Sequence, residues 1–225
     1  MNFLSHFYFD RHSEDPHLVL GSVLPDLLKN ARKDWNLHPE KNEHLFATSS
    51  EKAILHGWKR HLKVDRHFHN SVFFTEHTRE IKKAIIPALI NSAVRPSFIA
   101  HIALELMLDS TLLMEEHVKT HDFYDHLRKA DATTLKRFLE LNNLDDTNHF
   151  FTFYKKFIET QYLESYRKSQ NVMYAIQRIC MRIWEDPLSE QEIIELSKIL
   201  NDYHQNFMGN YMDIYDEIHH SLSEN

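Results

Sequence analysis

Histidine and carboxylate side chains recur at helical spacing in two places along this chain. In HLKVDRHFH, His61, Asp65 and His69 stand at i, i+4 and i+8. On a helix they share one face, in reach of a common point. In FIAHIALELMLD, His101, Glu105 and Asp109 repeat the same interval. Imidazole with carboxylate is the donor set of hydrolytic transition-metal sites. A solvated polar face is the competing reading of the first row, whose surroundings are rich in charge. The second row lies among apolar residues and carries no Lys or Arg, whereas a solvated stripe normally mixes signs. Three such groups are costly to bury without a cation. For the second row metal binding is therefore the favoured reading, and His61, Asp65 and His69 stand beside His101 as candidate ligands.

Other residues have plainer accounts. Asp26, in GSVLPDLLKN, reads from the residues alone as a helix cap. His6, on the apolar N-terminal segment, reads as a core histidine. Cys180, among Ile176, Ile179 and Ile183, reads as buried and inert. The chain has no G-x-S-x-G elbow, no phosphate-binding loop and no dinucleotide-type glycine motif, which sets aside the hydrolase and nucleotide-binding classes built on them.

The elements that must position these side chains are helices. With 3 Gly and 6 Pro in 225 residues, turn formers are scarce, and the pattern predicts one all-α domain spanning residues 1–225. Helix-like spacing runs over Asn2–Asp10, and Leu18–Leu28 forms a short apolar segment. Trp35–Ser50 reads as a loop in which Ser49 and Ser50 can cap the helix Glu51–His69. Further helices are predicted over Thr78–Ile90, Phe98–His117 (opened by Pro96), Phe123–Leu141, Asn148–Tyr166 and Met173–Trp184. Asp186-Pro187 stops the last of these, and Ser189 with Glu192 opens a long one to His220 through a capping box.

A formal net charge of −7 argues against nucleic acid as the main partner, since phosphate neutralisation drives such binding. One cysteine excludes an internal disulfide framework and fits a reducing cytoplasm, so a cytoplasmic location is expected. The segment MNFLSHFYFDR lacks the pattern of a secretory signal. Glu105 and Asp109 interrupt the most apolar stretch, so no membrane span is expected.

Several motifs resemble those of the acyl carrier protein phosphodiesterases. They are MNFLSH at the start, G-x-x-x-x-D at Gly21–Asp26, and G-x-x-x-H-x-x-x-D from Gly57 through His61 to Asp65. YLESYR at Tyr162–Arg167, the segment Met173–Ile183 and the aromatic stretch Tyr203–Tyr215 are also similar. The resemblance implies a helical-bundle, HD-domain-like metallohydrolase. Such an enzyme cleaves the phosphodiester between 4′-phosphopantetheine and a serine of holo-acyl carrier protein, usually with manganese. It assigns Asp26, His61 and Asp65 to the metal site, and the metal-assisted hydrolysis it implies makes Glu105 or Asp109 the candidate general base. Where the family has Thr-Asp, this chain has Phe68-His69; where it has Asp and then Asp-His, this chain has His101 and then Glu105-Leu106. Imidazole in place of carboxylate softens the site and moves preference from Mn²⁺ toward Fe²⁺ or Zn²⁺. An acidic carrier protein needs a basic docking patch, for which Lys29, Arg32, Lys33, Lys59, Arg60, Lys63 and Arg66 are the candidates. Hydrolysis of other small phosphoesters or nucleotides, or carrier-protein binding without catalysis, are the alternatives.

Overall fold

Most helices begin where the sequence supplies an oxygen for their exposed N–H groups. The computed structural model describes residues 1–207 and 209–223. Helix α1 (Phe3–Asp10) starts without a side-chain cap, whereas Asp15 caps α2 (Pro16–Ala31) at the His17 N–H. At α3 (Ser49–Asn70) the cap is Thr48 rather than Ser49 or Ser50. Thr48 Oγ1 accepts the Glu51 N–H at 3.2 Å while the Glu51 carboxylate accepts the Ala47 and Thr48 N–H groups at 2.9 Å. Ser71 caps α4 (Val72–Ile85), and Pro96 opens α5 (Pro96–Met114).

The predicted helix Phe123–Leu141 is two helices, α6 (Thr120–Lys129) and α7 (Ala132–Leu141). Asp131 divides them, its carboxylate accepting from Thr134 N–H at 2.7 Å and so competing with helix continuation. Asp146 caps α8 (Thr147–Thr160), which ends at Gln161 in the left-handed region, φ 46°. Residues Tyr162–Arg167 then form a 3-10 turn, so the predicted helix to Tyr166 stops early. Next come α9 (Gln170–Cys180), α10 (Glu190–Phe207) and α11 (Met212–Ser223). Ser189 and Glu192 make the reciprocal capping box expected at the start of α10. The single helix predicted from Ser189 to His220 is interrupted by turn residues 209–211; Met208, within it, lies outside the described residues. Among the described residues there is no strand, and the chain is all-α.

The described residues form two compact units, each assembled from separated stretches of chain. The first contains Met1–Asp65 and His117–Leu163; the second contains Arg66–Glu116 and the chain from Glu164 onward. In the first, α1 packs on α2, and α2 on α6 and α8. Its core includes an aromatic cluster in which Phe3 lies 5.0 Å from Phe157 and Phe7 lies 5.4 Å from Phe123, ring centre to ring centre. Each such fully buried phenylalanine stabilises the fold by about 2–3 kcal/mol of apolar transfer. In the second unit α5 packs against α4 and α9. Helix α5 is long and apolar enough to cross a membrane by length and composition, but 67% of it is buried within the protein, as in a core helix.

Candidate metal centre

Two of the chain's three glycines set the geometry of the first site. A Cβ on Gly21 would fall 2.1 Å from the Ile54 carbonyl oxygen, and one on Gly57 would fall 2.1 Å from the Leu18 carbonyl oxygen. Only hydrogen fits at either position, so α2 and α3 touch backbone to backbone. Asp26 stands five residues beyond Gly21, and His61 and Asp65 stand four and eight beyond Gly57. The contact between the glycines therefore brings these three side chains together across the two helices.

His6 completes the group. Its ring stacks on that of His61 at 3.8 Å, and its Nε2 lies 3.2 Å from Asp65 Oδ1. His61 Nε2 lies 3.8 Å from Asp65 Oδ2 and 4.0 Å from Asp26 Oδ1, and Asp26 Oδ2 is 4.0 Å from His6 Nε2. The opposite nitrogen of His61, Nδ1, donates to the Ser22 carbonyl at 2.9 Å. Burial holds His61 well below its ordinary pKa, so the ring is neutral and Nε2 carries a lone pair aimed at two carboxylates. Burial alone would raise the Asp65 carboxyl, but its contact with His6 and the Met1 amine 2.8 Å away outweigh that and hold it far below the usual range. An imidazole lone pair facing carboxylates, with its other nitrogen anchored on a backbone carbonyl, is the arrangement that metal-ligating histidines use. Two nitrogen and two oxygen donors fit a divalent transition ion.

The group opens into a cleft of about 270 Å³ in the first unit, lined by Asp26, His61, Asp65, Lys29, Trp35 and Trp58 among others. Trp58 Nε1 donates to Glu40 at 3.1 Å and Trp35 Nε1 to Asp145 at 2.9 Å. These bonds fix two indole walls beside the ligand atoms.

His69 belongs to a different group. A rise of about 1.5 Å per residue puts i and i+8 about 12 Å apart along a helix axis, too far for one ion. The row predicted from spacing is thus divided: His61 and Asp65 join His6, and His69 joins His101 and Glu105 in the second unit. Burial would raise the Glu105 carboxyl, but nearby positive charge and then hydrogen bonds from His101 and His69 outweigh it and hold Glu105 well below its ordinary pKa. Asp109, one turn beyond Glu105, is fully buried and belongs to neither group.

His6 is the residue that the sequence reading left in the core; its only signal was its place in MNFLSH. Several proposed docking cations are already engaged. Arg32 pairs with Asp34 at 2.9 Å, Lys59 pairs with Glu43, and Arg60 pairs with the buried Asp10 at 2.8 Å. Lys29 donates to the Lys33 carbonyl at 3.2 Å and to Asn36. Lys33 and Lys63 have partners of their own, and Arg66 is exposed. No family model matches this chain, and neither a curated protein nor a solved structure matches it.

Proposed function

We propose that this protein is a metal-dependent phosphodiesterase of the acyl carrier protein phosphodiesterase type, with an HD-domain-like helical site. One observation carries the reading. The motifs behind the resemblance, far apart in sequence, meet at one point: His6 from MNFLSH, Asp26 from G-x-x-x-x-D, and His61 and Asp65 from G-x-x-x-H-x-x-x-D. Their glycines are the contact that brings them there.

His61, Asp65, His6 and Asp26 would hold the cation, Mn²⁺ first and Fe²⁺ or Zn²⁺ next. When bound, it would neutralise charge on the phosphoryl oxygens and lower the pKa of a water. The His61 tautomer is set by Ser22, so its ligating nitrogen needs no proton loss. Asp26 is one-quarter exposed and faces the cleft, so its side of the bound cation would be the one open to substrate and water. Trp35 and Trp58 flank the cleft and exclude water from the reacting phosphodiester, and Lys29 at its edge attracts the anion. Incubation with holo-acyl carrier protein and Mn²⁺ should yield the apo form and free phosphopantetheine by mass spectrometry. Absence of the apo form with every divalent metal tried rejects the substrate.

A second reading, hydrolysis of a small phosphoester, is supported by the ion pairing of Arg32, Lys59 and Arg60, which reduces the positive charge offered to an acidic partner. A panel of nucleotides and small phosphodiesters assayed under the same conditions separates the two.

A further inference from the structure

In the second unit three ligand atoms form a nearly equilateral triangle. His69 Nε2 lies 3.2 Å from His101 Nε2 and 3.3 Å from Glu105 Oε1, and His101 Nε2 lies 3.1 Å from that same oxygen. Bonds of about 2.1 Å to a shared ion hold neighbouring ligand atoms about 3.0 Å apart in octahedral geometry and about 3.4 Å apart in tetrahedral geometry. The observed edges fall between these values. We propose that His69, His101 and Glu105 form a second site for a divalent first-row transition ion, of the two-histidine, one-carboxylate type.

Hydrogen bonding accounts for at most two edges of the triangle. Each imidazole carries at most one proton on Nε2, and that proton can point at one neighbour only. If both protons point at Glu105, one carboxylate oxygen accepts both and the two nitrogens stand 3.2 Å apart with no bond between them. If one Nε2 is bare, its lone pair faces the carboxylate at 3.1 or 3.3 Å. No tautomer satisfies all three edges; a cation at the apex satisfies every one.

The surrounding packing holds the rings ready. Phe74 meets His69 and His101 edge to face, with ring centres 4.9 and 5.0 Å away, and Phe68 lies 5.1 Å from His69. These contacts fix both imidazole planes without consuming a ligating nitrogen. The His101 side chain is 42% exposed and that of His69 31%, so an ion can enter and the side away from the protein stays open to small oxygen donors. Two nitrogens and one oxygen favour Fe²⁺, Co²⁺ or Zn²⁺ over Mg²⁺ or Ca²⁺. Neither these residues nor the site's occupancy depends on the phosphodiesterase reading.

The test uses the full chain carrying His61→Ala and Asp65→Asn, which removes ligands from the first group. After stripping by chelator it is titrated with Co²⁺ alone, the ion's visible absorption being followed. One equivalent should bind and be displaced by Zn²⁺. Adding His101→Ala at this exposed position should weaken binding at least about 100-fold, since even outer-shell partners are worth 10–100-fold. Circular dichroism checks that each variant is folded. If the double variant proves unstable, the parent chain and its His101→Ala form give the same comparison as one bound Co²⁺ fewer. A folded double variant that binds no Co²⁺, or a Co²⁺ spectrum and stoichiometry unmoved by His101→Ala, overturns the proposal.

Discussion

His61 Nδ1 donates to the carbonyl of Ser22 at 2.9 Å, and that bond decides which nitrogen faces the cleft. A carbonyl can only accept, so the proton sits on Nδ1 and the Nε2 lone pair points at Asp26 and Asp65. Ser22 follows Gly21, whose missing side chain lets α2 lie against α3. The helix contact and the tautomer therefore share one cause.

Asp65→Ala tests whether this arrangement binds metal. Asp65 faces His6, His61 and the Met1 amine, and the substitution removes a ligand and a compensating negative charge together. Mn²⁺ binding at the first group and phosphodiester hydrolysis are expected to be lost while the far-UV circular dichroism stays helical. Elemental analysis checks the first outcome, and full occupancy in the variant takes Asp65 out of the site.

Gly57→Ala tests the helix contact. The new methyl would meet Leu18 O at 2.1 Å, Ser22 N at 2.6 Å and Gly21 C at 2.8 Å, all backbone atoms that cannot rotate away. Overpacking of this kind costs about 3 kcal/mol or more, and separating the helices also pulls His61 from Asp26. Urea denaturation should show the destabilisation and metal analysis the lost ion. Gly209→Ala, where nothing lies within 4 Å, is the control and should stay within about 0.5 kcal/mol of the parent. Equal stability of the two variants would mean that α2 and α3 do not need the glycine.

What the sequence made legible depended on how local the signal was. The Ser189–Glu192 capping box is a four-residue motif and appears as read. The break at Asp131 was missed because Phe123–Leu141 keeps its apolar period across it, and the end of α8 was missed because Gln161, not glycine, takes the left-handed turn. Helical spacing rightly put His61 with Asp65 and His101 with Glu105. It could not show that His69 crosses to the second pair, because spacing gives a shared face and leaves axial distance and tertiary partner open. His6 was beyond reach for the same reason: its place in the first group arises from stacking on His61, 55 positions away in the sequence.

The two capping carboxylates of α3 and α10 should differ in worth. Glu51 is 1% exposed, accepts two backbone N–H groups and pairs with Arg137 at 2.7 Å. Glu51→Ala removes the acceptor of both N–H groups and the ion pair with Arg137 together and should cost about 2–3 kcal/mol. The Ser189–Glu192 box is exposed, so Glu192→Ala should cost about 1 kcal/mol or less. Chemical denaturation of both variants checks the order, and a reversal would mean that burial does not set the value of these caps.

His204 should make the protein sensitive to mild acid. Its Nε2 lies 2.8 Å from Thr111 Oγ1, only 3% of the residue is exposed, and burial pushes the imidazole down to about 4 from 6.5. The unfolded chain therefore takes up a proton near pH 6.5 that the folded chain refuses until about pH 4. Across that window the unfolded state binds more protons, so stability rises with pH and is lost as pH falls. The loss reaches roughly 3 kcal/mol, at a slope of at most about 1.4 kcal/mol per pH unit. His204→Gln keeps a polar side chain that does not titrate and should flatten the stability profile between pH 6.5 and 4. It should also lower stability at pH 7.5 by about 1 kcal/mol through a less well-placed hydrogen bond. Urea midpoints at pH 7.5, 6 and 5 check both effects. A profile as steep as the parent's would assign the acid sensitivity to other groups and leave His204 free to titrate in the folded chain.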